Sequence, residues 1–258
     1  MRDLASPSLL EDPGYLGGAA APHEARPAPA VHSFHSGLSL IVIDGVPLLP
    51  ASTPALRRRL AAKRAFDVLF AASALVALAP VLLAVALAIR LTSAGPALFR
   101  QRREGTDGQP IEIFKFRSMF VDRGDAAGVA QTRRDDPRVT PVGRFIRRTS
   151  LDELPQLLNI LRGEMSVVGP RPHPYGMRAG GTTYRRLVPY YGLRHRVVKP
   201  GLTGWAQVNG LRGPTDDPSL ARARIDHDLA YIQGFSLRLD IRIVWLTVVR
   251  EFLGGTGH

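Results

Sequence analysis

The chain has 258 residues, no cysteine and a net charge of +12 from 34 basic and 22 acidic residues. The length allows one ample domain or two small ones, and a hydrophobic content of 45% suffices for a core. Without thiols there are no disulfides, cysteine nucleophiles, iron–sulfur clusters or cysteine-based zinc sites. The basic excess points to phosphate-bearing partners, namely nucleic acid, anionic lipid or nucleotides.

The charge is unevenly laid out. The first 55 residues hold two basic and five acidic residues, a net of −3, which leaves +15 on the rest. Up to about residue 36 the chain is rich in Pro, Ala, Gly and Ser with no apolar period, the composition of a disordered segment. It lacks the basic start and apolar run of a secretory signal. Residues 38–49 (LSLIVIDGVPLL) predict a small hairpin around Asp44-Gly45, with Pro47 an obstacle to it. Residues 1–55 are therefore expected to be a disordered or weakly ordered tail, and residues 56–258 the folded domain.

Arg57, Arg58, Arg59, Lys63 and Arg64 precede an uncharged stretch, residues 68–89, which Arg90 closes. As a helix this stretch is about 33 Å long, enough for a hydrocarbon core of about 30 Å. Pro80 sits near its middle, where it removes a backbone hydrogen bond and favours a kink. Basic residues at both ends favour the same, cytoplasmic side. A single crossing and a kinked helix that enters one leaflet and returns both stay open on these residues.

Residues 97–104 and 111–117 predict a hairpin about the GTDGQ loop, with a bulge where the alternation slips at Ile113 and Phe114. Residues 123–136 read as a loop. Residues 150–162 predict a helix with Leu154, Leu157, Leu158 and Leu161 on its apolar face. Gly169-Pro170-Arg171-Pro172 predicts a rigid turn, and residues 200–213, around Trp205, a Gly-rich loop. Residues 222–233 and 237–252 predict helices. The last carries Leu239, Ile243, Leu246 and Val249 on one side, a face suited either to a membrane interface or to a core.

Asp152 and Glu153 are adjacent carboxylates at a predicted helix start. Ser150 with Glu153 fits a capping box, and Asp152 as the cap fits equally, with Pro155 in the first turn. Either arrangement sets both carboxylates at the positive helix end, which also suits phosphate. Arg144, Arg147 and Arg148 lie just upstream, and Arg171 is held between two prolines downstream. Carboxylates among arginines suggest a magnesium–phosphate site, and a set of surface salt bridges is the plainer alternative.

The runs KFRSM (115–119), TPVGRFIRRTSLDELPQLLNILRGEMSVVGPRP (140–172) and KPGLTGWAQVNG (199–210) resemble the bacterial sugar transferase family, the monotopic polyprenyl-phosphate phosphoglycosyl transferases that initiate exopolysaccharide and glycan assembly. The resemblance spans residues 64–253 and is closest to the minimal catalytic form with an added tail. It implies an α+β, mostly helical, monotopic membrane protein with a Pro-kinked re-entrant helix, a small β-hairpin and interfacial amphipathic helices. It selects re-entry at Ala79-Pro80, and it places the protein at the bacterial inner membrane with its catalytic part on the cytoplasmic face.

The implied reaction moves a sugar 1-phosphate from a UDP-sugar, with UDP-glucose or UDP-galactose expected, to polyprenyl phosphate. UMP is released, and an aspartyl–phosphosugar forms on Asp152. By resemblance Asp152 and Glu153 are catalytic and bind Mg²⁺, while Lys115, Arg147, Arg171, Gln207 and Asp228 bind substrate. Implied partners are the UDP-sugar, polyprenyl phosphate and membrane lipid, with a homodimer left open and no nucleic acid. Gln233-Gly234-Phe235 departs from the Glu-Asn-Trp frequent in relatives. A scaffold that has lost catalysis is the alternative that retention of Asp152, Glu153, Lys115 and Arg171 opposes. A nucleic-acid-binding role lacks a recognisable module.

Overall fold

The computed structural model describes residues 29–34, 37–123, 136–213 and 216–253. Most of the tail and most of the predicted 123–136 loop lie outside the described residues.

The first element is a three-stranded antiparallel sheet, β1 (Ala30–Ser33), β2 (Ser39–Ile43) and β3 (Val46–Pro47). Asp44 (φ 52°) and Gly45 (φ 74°) take the left-handed conformations of a tight two-residue turn, so the hairpin read from Asp-Gly is present. Pro47 is accommodated at the end of the short strand β3. The expectation that the chain is unstructured to about residue 36 is corrected, because Ala30–Ser33 pairs along β2. Its composition gave no apolar alternation, since all four residues are exposed and the strand is held by its backbone pairing and a Ser33–Ser39 hydroxyl contact (3.2 Å).

Helix α1 (Pro54–Thr92) starts on Thr53, whose hydroxyl accepts from Leu56 N (3.1 Å), with Pro54 at the first helical position. Its first half is tied down by polar side chains. Lys63 Nζ donates to Asp240 Oδ2 (2.7 Å), and Asp67 Oδ1 accepts from Ser166 Oγ (2.9 Å) and Val167 N (2.9 Å). Arg64 donates to the carbonyls of Ile160 (2.6 Å) and Leu161 (3.0 Å). Beyond Pro80, Val85 and Ile89 pack with Phe116 and Ile146. Arg117 then ties the helix end by donating to Ser93 O (2.9 Å) and Ala94 O. Both ends thus pack on one body, while Val76 and Leu83 are 79% and 71% exposed. The most apolar 18-residue window has a mean hydropathy of 2.6 and is only 11% buried, which is not how a soluble core helix is placed.

Strands β4 (Leu98–Glu104) and β5 (Pro110–Phe116) pair in unbroken register from Leu98↔Phe116 to Glu104↔Pro110. The predicted bulge is absent. Ile113 and Phe114 are both buried because both sides of β5 are covered: Ile113 joins the main core, while Phe114 lies under Arg100 and Arg162. A strand covered twice needs no alternation.

Helix α2 (Pro141–Arg148) is capped by Thr140, whose hydroxyl accepts from Gly143 N (2.8 Å). The predicted 150–162 helix is two pieces, a 3₁₀ turn over Leu151–Gln156 and α3 (Leu157–Arg162). Ser150 is left-handed (φ 54°) and its side chain makes no cap bond, so neither the capping box nor Asp152 as the cap is realised. The tighter turn also shifts the phase. Leu157 and Ile160 face the core, whereas Leu158 and Leu161 are 38% and 36% exposed. Asn159, between them, donates to Glu112 O (2.7 Å) and accepts from Phe114 N (3.0 Å), which ties α3 to the outer edge of β5.

The remaining elements are β6 (Ser166–Val168), the small ribbon of β7 (Arg178–Ala179) and β8 (Thr182–Thr183), α4 (Tyr184–Leu187), a 3₁₀ stretch (Pro189–His195), β9 (Gly201–Thr203), α5 (Trp205–Val208), α6 (Pro218–Gly234) and α7 (Leu237–Leu253). The predicted loop at 200–213 therefore contains a strand, parallel to β6, and a helical turn. Gly169 and Gly201 permit that pairing: a Cβ on Gly169 would sit 2.3 Å from Lys199 O, and one on Gly201 2.1 Å from Gly169 N. On α7, Ile243 is fully buried and Leu239 and Leu246 pack on the core, so the face read as apolar is the core face. Ile241, Trp245 and Val248 form a second, exposed apolar row.

Candidate active site

Two distant segments converge on Glu153. Lys115, from β5, donates to Glu153 Oε1 (2.7 Å). Arg171, from the Gly-Pro-Arg-Pro segment, donates through Nη1 to Oε2 (2.9 Å) and through Nη2 to Oε1, a two-pronged grip. The segment keeps its course because its two prolines exclude helix and Gly169 lies directly against β9. Burial opposes ionisation of Glu153, but Arg171 and Lys115 outweigh it and hold the carboxyl well below the usual range. Both of its oxygens are thus committed.

Asp152, its neighbour, is 8% exposed and accepts no hydrogen bond from the described residues. Burial pushes its pKa up to about 6, and Glu153 adds to the rise. Lys115, Arg147 and Arg171 act in the opposite direction from close by. Arg147, on α2, donates to Ser118 Oγ (3.4 Å). One carboxylate is therefore clamped and the next is open, in a pocket of cations. Such an arrangement suits a phosphate ligand and an attacking oxygen.

The family model described as bacterial sugar transferase matches residues 58–254. The chain belongs to the bacterial sugar transferase family. It is 57% identical over 195 residues to the exopolysaccharide production protein PSS of Rhizobium leguminosarum bv. phaseoli, covering 76% of this chain and 97% of that protein. It is 50% identical over 217 residues to the UDP-glucose:undecaprenyl-phosphate glucose-1-phosphate transferase of Escherichia coli (strain K12), covering 84% of this chain but only 46% of that protein. A relative from Aeromonas hydrophila, named a UDP-N-acetylgalactosamine-undecaprenyl-phosphate N-acetylgalactosaminephosphotransferase, is 42% identical over 196 residues, covering 76% of this chain and 44% of that protein. The chain thus spans nearly the whole of the first relative and under half of the other two.

Within this sugar transferase, Lys115, Arg147, Asp152, Glu153 and Arg171 come together, and Asp228 does not join them directly. Asp228, on α6, is buried and accepts from Arg194 Nε (2.8 Å), with Arg194 Nη2 in ion-pair contact with the same oxygen (2.7 Å) and donating to Arg171 O (2.7 Å). Asp228 therefore fixes Arg194, which in turn fixes the Arg171 backbone. Gln207, on α5, is buried with its Oε1 unpartnered among the described residues, beside Gly204, which packs on Gly169.

Two residues bound into this cluster escaped the sequence reading. Arg103 donates to Pro172 O (3.0 Å), and burial together with the Arg171 charge lowers its pKa to about 9. Arg194, 1% exposed, is the hinge of the Asp228 relay. Neither lies in the recognised runs. The one hint was a strand, β4, with arginine on both faces.

As a test of the Mg²⁺ expectation, no group of three or more His, Asp or Glu gathers among the described residues. Asp152 is the carboxylate without a hydrogen bond from the described residues and so the one that could accept a cation, although Lys115, Arg147 and Arg171 already supply positive charge beside it. Glu153 would serve only after releasing Lys115 or Arg171.

Proposed function

We propose that this chain transfers a sugar 1-phosphate from a UDP-sugar to undecaprenyl phosphate and releases UMP. The observation that carries this is the unequal treatment of two adjacent carboxylates. Glu153 is neutralised by Lys115 and Arg171, so it orients them, while Asp152 is left without a hydrogen bond among the described residues. A diphosphate entering beside Arg171, Arg147 and Arg103 presents its sugar-bearing phosphorus to an Asp152 oxygen. The Asp152 O–P bond forms as the bridging P–O bond breaks, and UMP leaves with that bond's electrons. The acceptor phosphate oxygen then attacks the same phosphorus and returns Asp152 as a carboxylate. Mg²⁺ held at Asp152 would neutralise charge on the diphosphate oxygens.

The same reading assigns α1 to the membrane. Packing of both halves on one body, with an exposed apolar stretch around Pro80 between them, supports a helix that dips into the cytoplasmic leaflet and returns. The exposed α7 row of Ile241, Trp245 and Val248 suits the interface. Glucose is the first sugar to test, since the Escherichia coli relative's name specifies it, and the Aeromonas relative's name makes N-acetylgalactosamine the contrast.

Purified protein given UDP-glucose, UDP-galactose or UDP-N-acetylgalactosamine should release UMP with undecaprenyl phosphate present. Without acceptor it should release one equivalent and gain the mass of a hexose phosphate. Retained turnover in Asp152→Asn would sink the nucleophile assignment. For topology, Ala61→Cys and Ala94→Cys, in a chain with no native cysteine, should label from the same side. Labelling from opposite sides would establish a crossing.

A further inference from the structure

The part of α1 beyond Pro80 is fastened to the body by few groups. Val85 and Ile89 are its buried residues, while Leu83, Leu87 and Leu91 are exposed. Val85 and Ile89 pack with Phe116 and Ile146, and Leu151 packs against the same cluster. Each of these three neighbours adjoins a residue of the candidate site. Phe116 follows Lys115, Ile146 precedes Arg147, and Leu151 precedes Asp152. The reactive groups and this part of α1 therefore share three short segments of chain.

Arg117 secures the end of the helix. It is buried, and its guanidinium spans three successive carbonyls: Nη2 donates to Ser93 O (2.9 Å) and Gly95 O (3.3 Å), and Nη1 to Ala94 O. The planar fork suits several acceptors at once, and a cation is favoured where a helix ends. Gly95 turns the chain here with φ 108°, and a Cβ on it would lie 2.9 Å from Val121 Cγ2 and 3.2 Å from Arg117 Nη1. Along β5, Lys115 turns to Glu153 and Phe116, on the opposite side, to α1, so the clamp on Glu153 and the fastening of the helix are separate attachments.

The two substrates meet these attachments differently. A nucleotide sugar arrives from water and needs only the charged cluster, which Glu153 holds together. A polyprenyl phosphate arrives in the membrane, so its phosphate reaches Asp152 only where α1 holds the site at the right depth and angle. Misplacement by about 1 Å costs a reaction up to roughly 10²-fold.

We propose that Arg117 is a positioning residue for the acceptor: by pinning the end of α1 it sets the reach between the lipid phosphate and Asp152, and it leaves the donor step alone. This rests on the proposed function, in which α1 dips into the membrane and Asp152 carries the sugar phosphate from one substrate to the other.

The test separates the two half-reactions of the full chain in phosphatidylethanolamine–phosphatidylglycerol vesicles, given UDP-glucose, UDP-galactose or UDP-N-acetylgalactosamine. Arg117→Met removes the donors and keeps an apolar stem. Gly95→Ala crowds the same guanidinium while leaving Arg117 in place. The rate of the single UMP release without acceptor should stay within about threefold of the unmodified chain, and transfer from the loaded protein to undecaprenyl phosphate should fall roughly tenfold or more. Both rates are taken per equivalent of protein that gains the sugar phosphate, so a variant that folds poorly does not imitate the split. A fall of both steps by one factor, or of neither, in both variants would overturn the positioning role and leave the transferase reading intact. If the unmodified chain releases no UMP from any of the three sugars, both readings fall.

Discussion

Two of the buried charge clusters among the described residues are finished differently. Where α1 meets α7, Lys63 is paired with Asp240, whose other oxygen accepts from the Tyr231 hydroxyl (2.7 Å), and Asp67 is bonded to Ser166 and Val167. Each of these acids has its partners in hand. Around the 3₁₀ turn, Glu153 is equally well served, but Asp152 is buried without a hydrogen bond from the described residues. The first cluster fastens the apolar helix to the body. The second leaves one acid under-compensated, which destabilises the fold locally and leaves an oxygen available for chemistry.

The widest separation should come from Asp152→Asn. It should lower UMP release by roughly 10³-fold or more, as removal of a nucleophile does, yet melt higher than the parent at pH 7.5. The sign follows from a native value of about 6 against an ordinary 3.8: the native state keeps an extra proton between the two. Stability tied to that proton is complete below pH 4 and lost as pH rises through 6. The melting-temperature gap between variant and parent should therefore close on acidification to pH 4. A variant less stable at pH 7.5 would mean that Asp152 is a structural acid like Asp240.

Activity of the parent should fall about tenfold per pH unit below 6, as Asp152 takes up its proton. A rate flat down to pH 4.5 would show that the open carboxylate is not the attacking group. In the fastening cluster, Asp240→Asn strands the Lys63 ammonium and should cost about 3–5 kcal/mol of stability in denaturant titrations. Activity of the remaining folded protein at low temperature should stay within a few-fold. A loss of rate without loss of stability would blur the contrast between the two clusters.

The smallest effect is expected at the amino-terminal sheet. There the Gln233 carboxamide accepts from Ile41 N (2.8 Å) and donates to Ile41 O (2.9 Å) and Leu48 O (2.8 Å). Gln233→Glu sets a carboxylate against two carbonyls and should cost about 1–2 kcal/mol, read as faster amide exchange across residues 39–48. Unchanged exchange would show that the sheet is held by its apolar contacts alone. Gln233 and Gly234 are two of the three positions, with Phe235, where the chain departs from the Glu-Asn-Trp of the resemblance. Gly234 also faces Leu38, with 3.3 Å between its Cβ position and Leu38 Cδ2.

Features set by near neighbours in the chain were legible beforehand. Asp44-Gly45 specifies its turn because few residues accept two successive positive φ values. Residues 68–89 announce a long apolar helix through composition alone, and Lys115, Asp152, Glu153 and Arg171 stood out in runs of marked chemistry. The capping box at Ser150 failed because Glu153 had stronger partners 38 and 18 residues away, in Lys115 and Arg171. The bulge at Ile113 failed because periodicity reports one buried face, and packing supplied two.

By itself, then, the sequence determined the long helices α1, α6 and α7, the Asp44-Gly45 turn, the asymmetry of charge and most of the charged groups gathered around Glu153. These depend on local backbone preference and side-chain chemistry. Only the tertiary structure decided which of two adjacent carboxylates is clamped and which is open, and that Asp228 acts on the site through Arg194. It alone set Phe116, Ile146 and Leu151, the chain neighbours of three site residues, against the end of α1. Protonation and hydrogen bonding answer to charges and burial contributed by distant segments, and these meet only once the chain has folded.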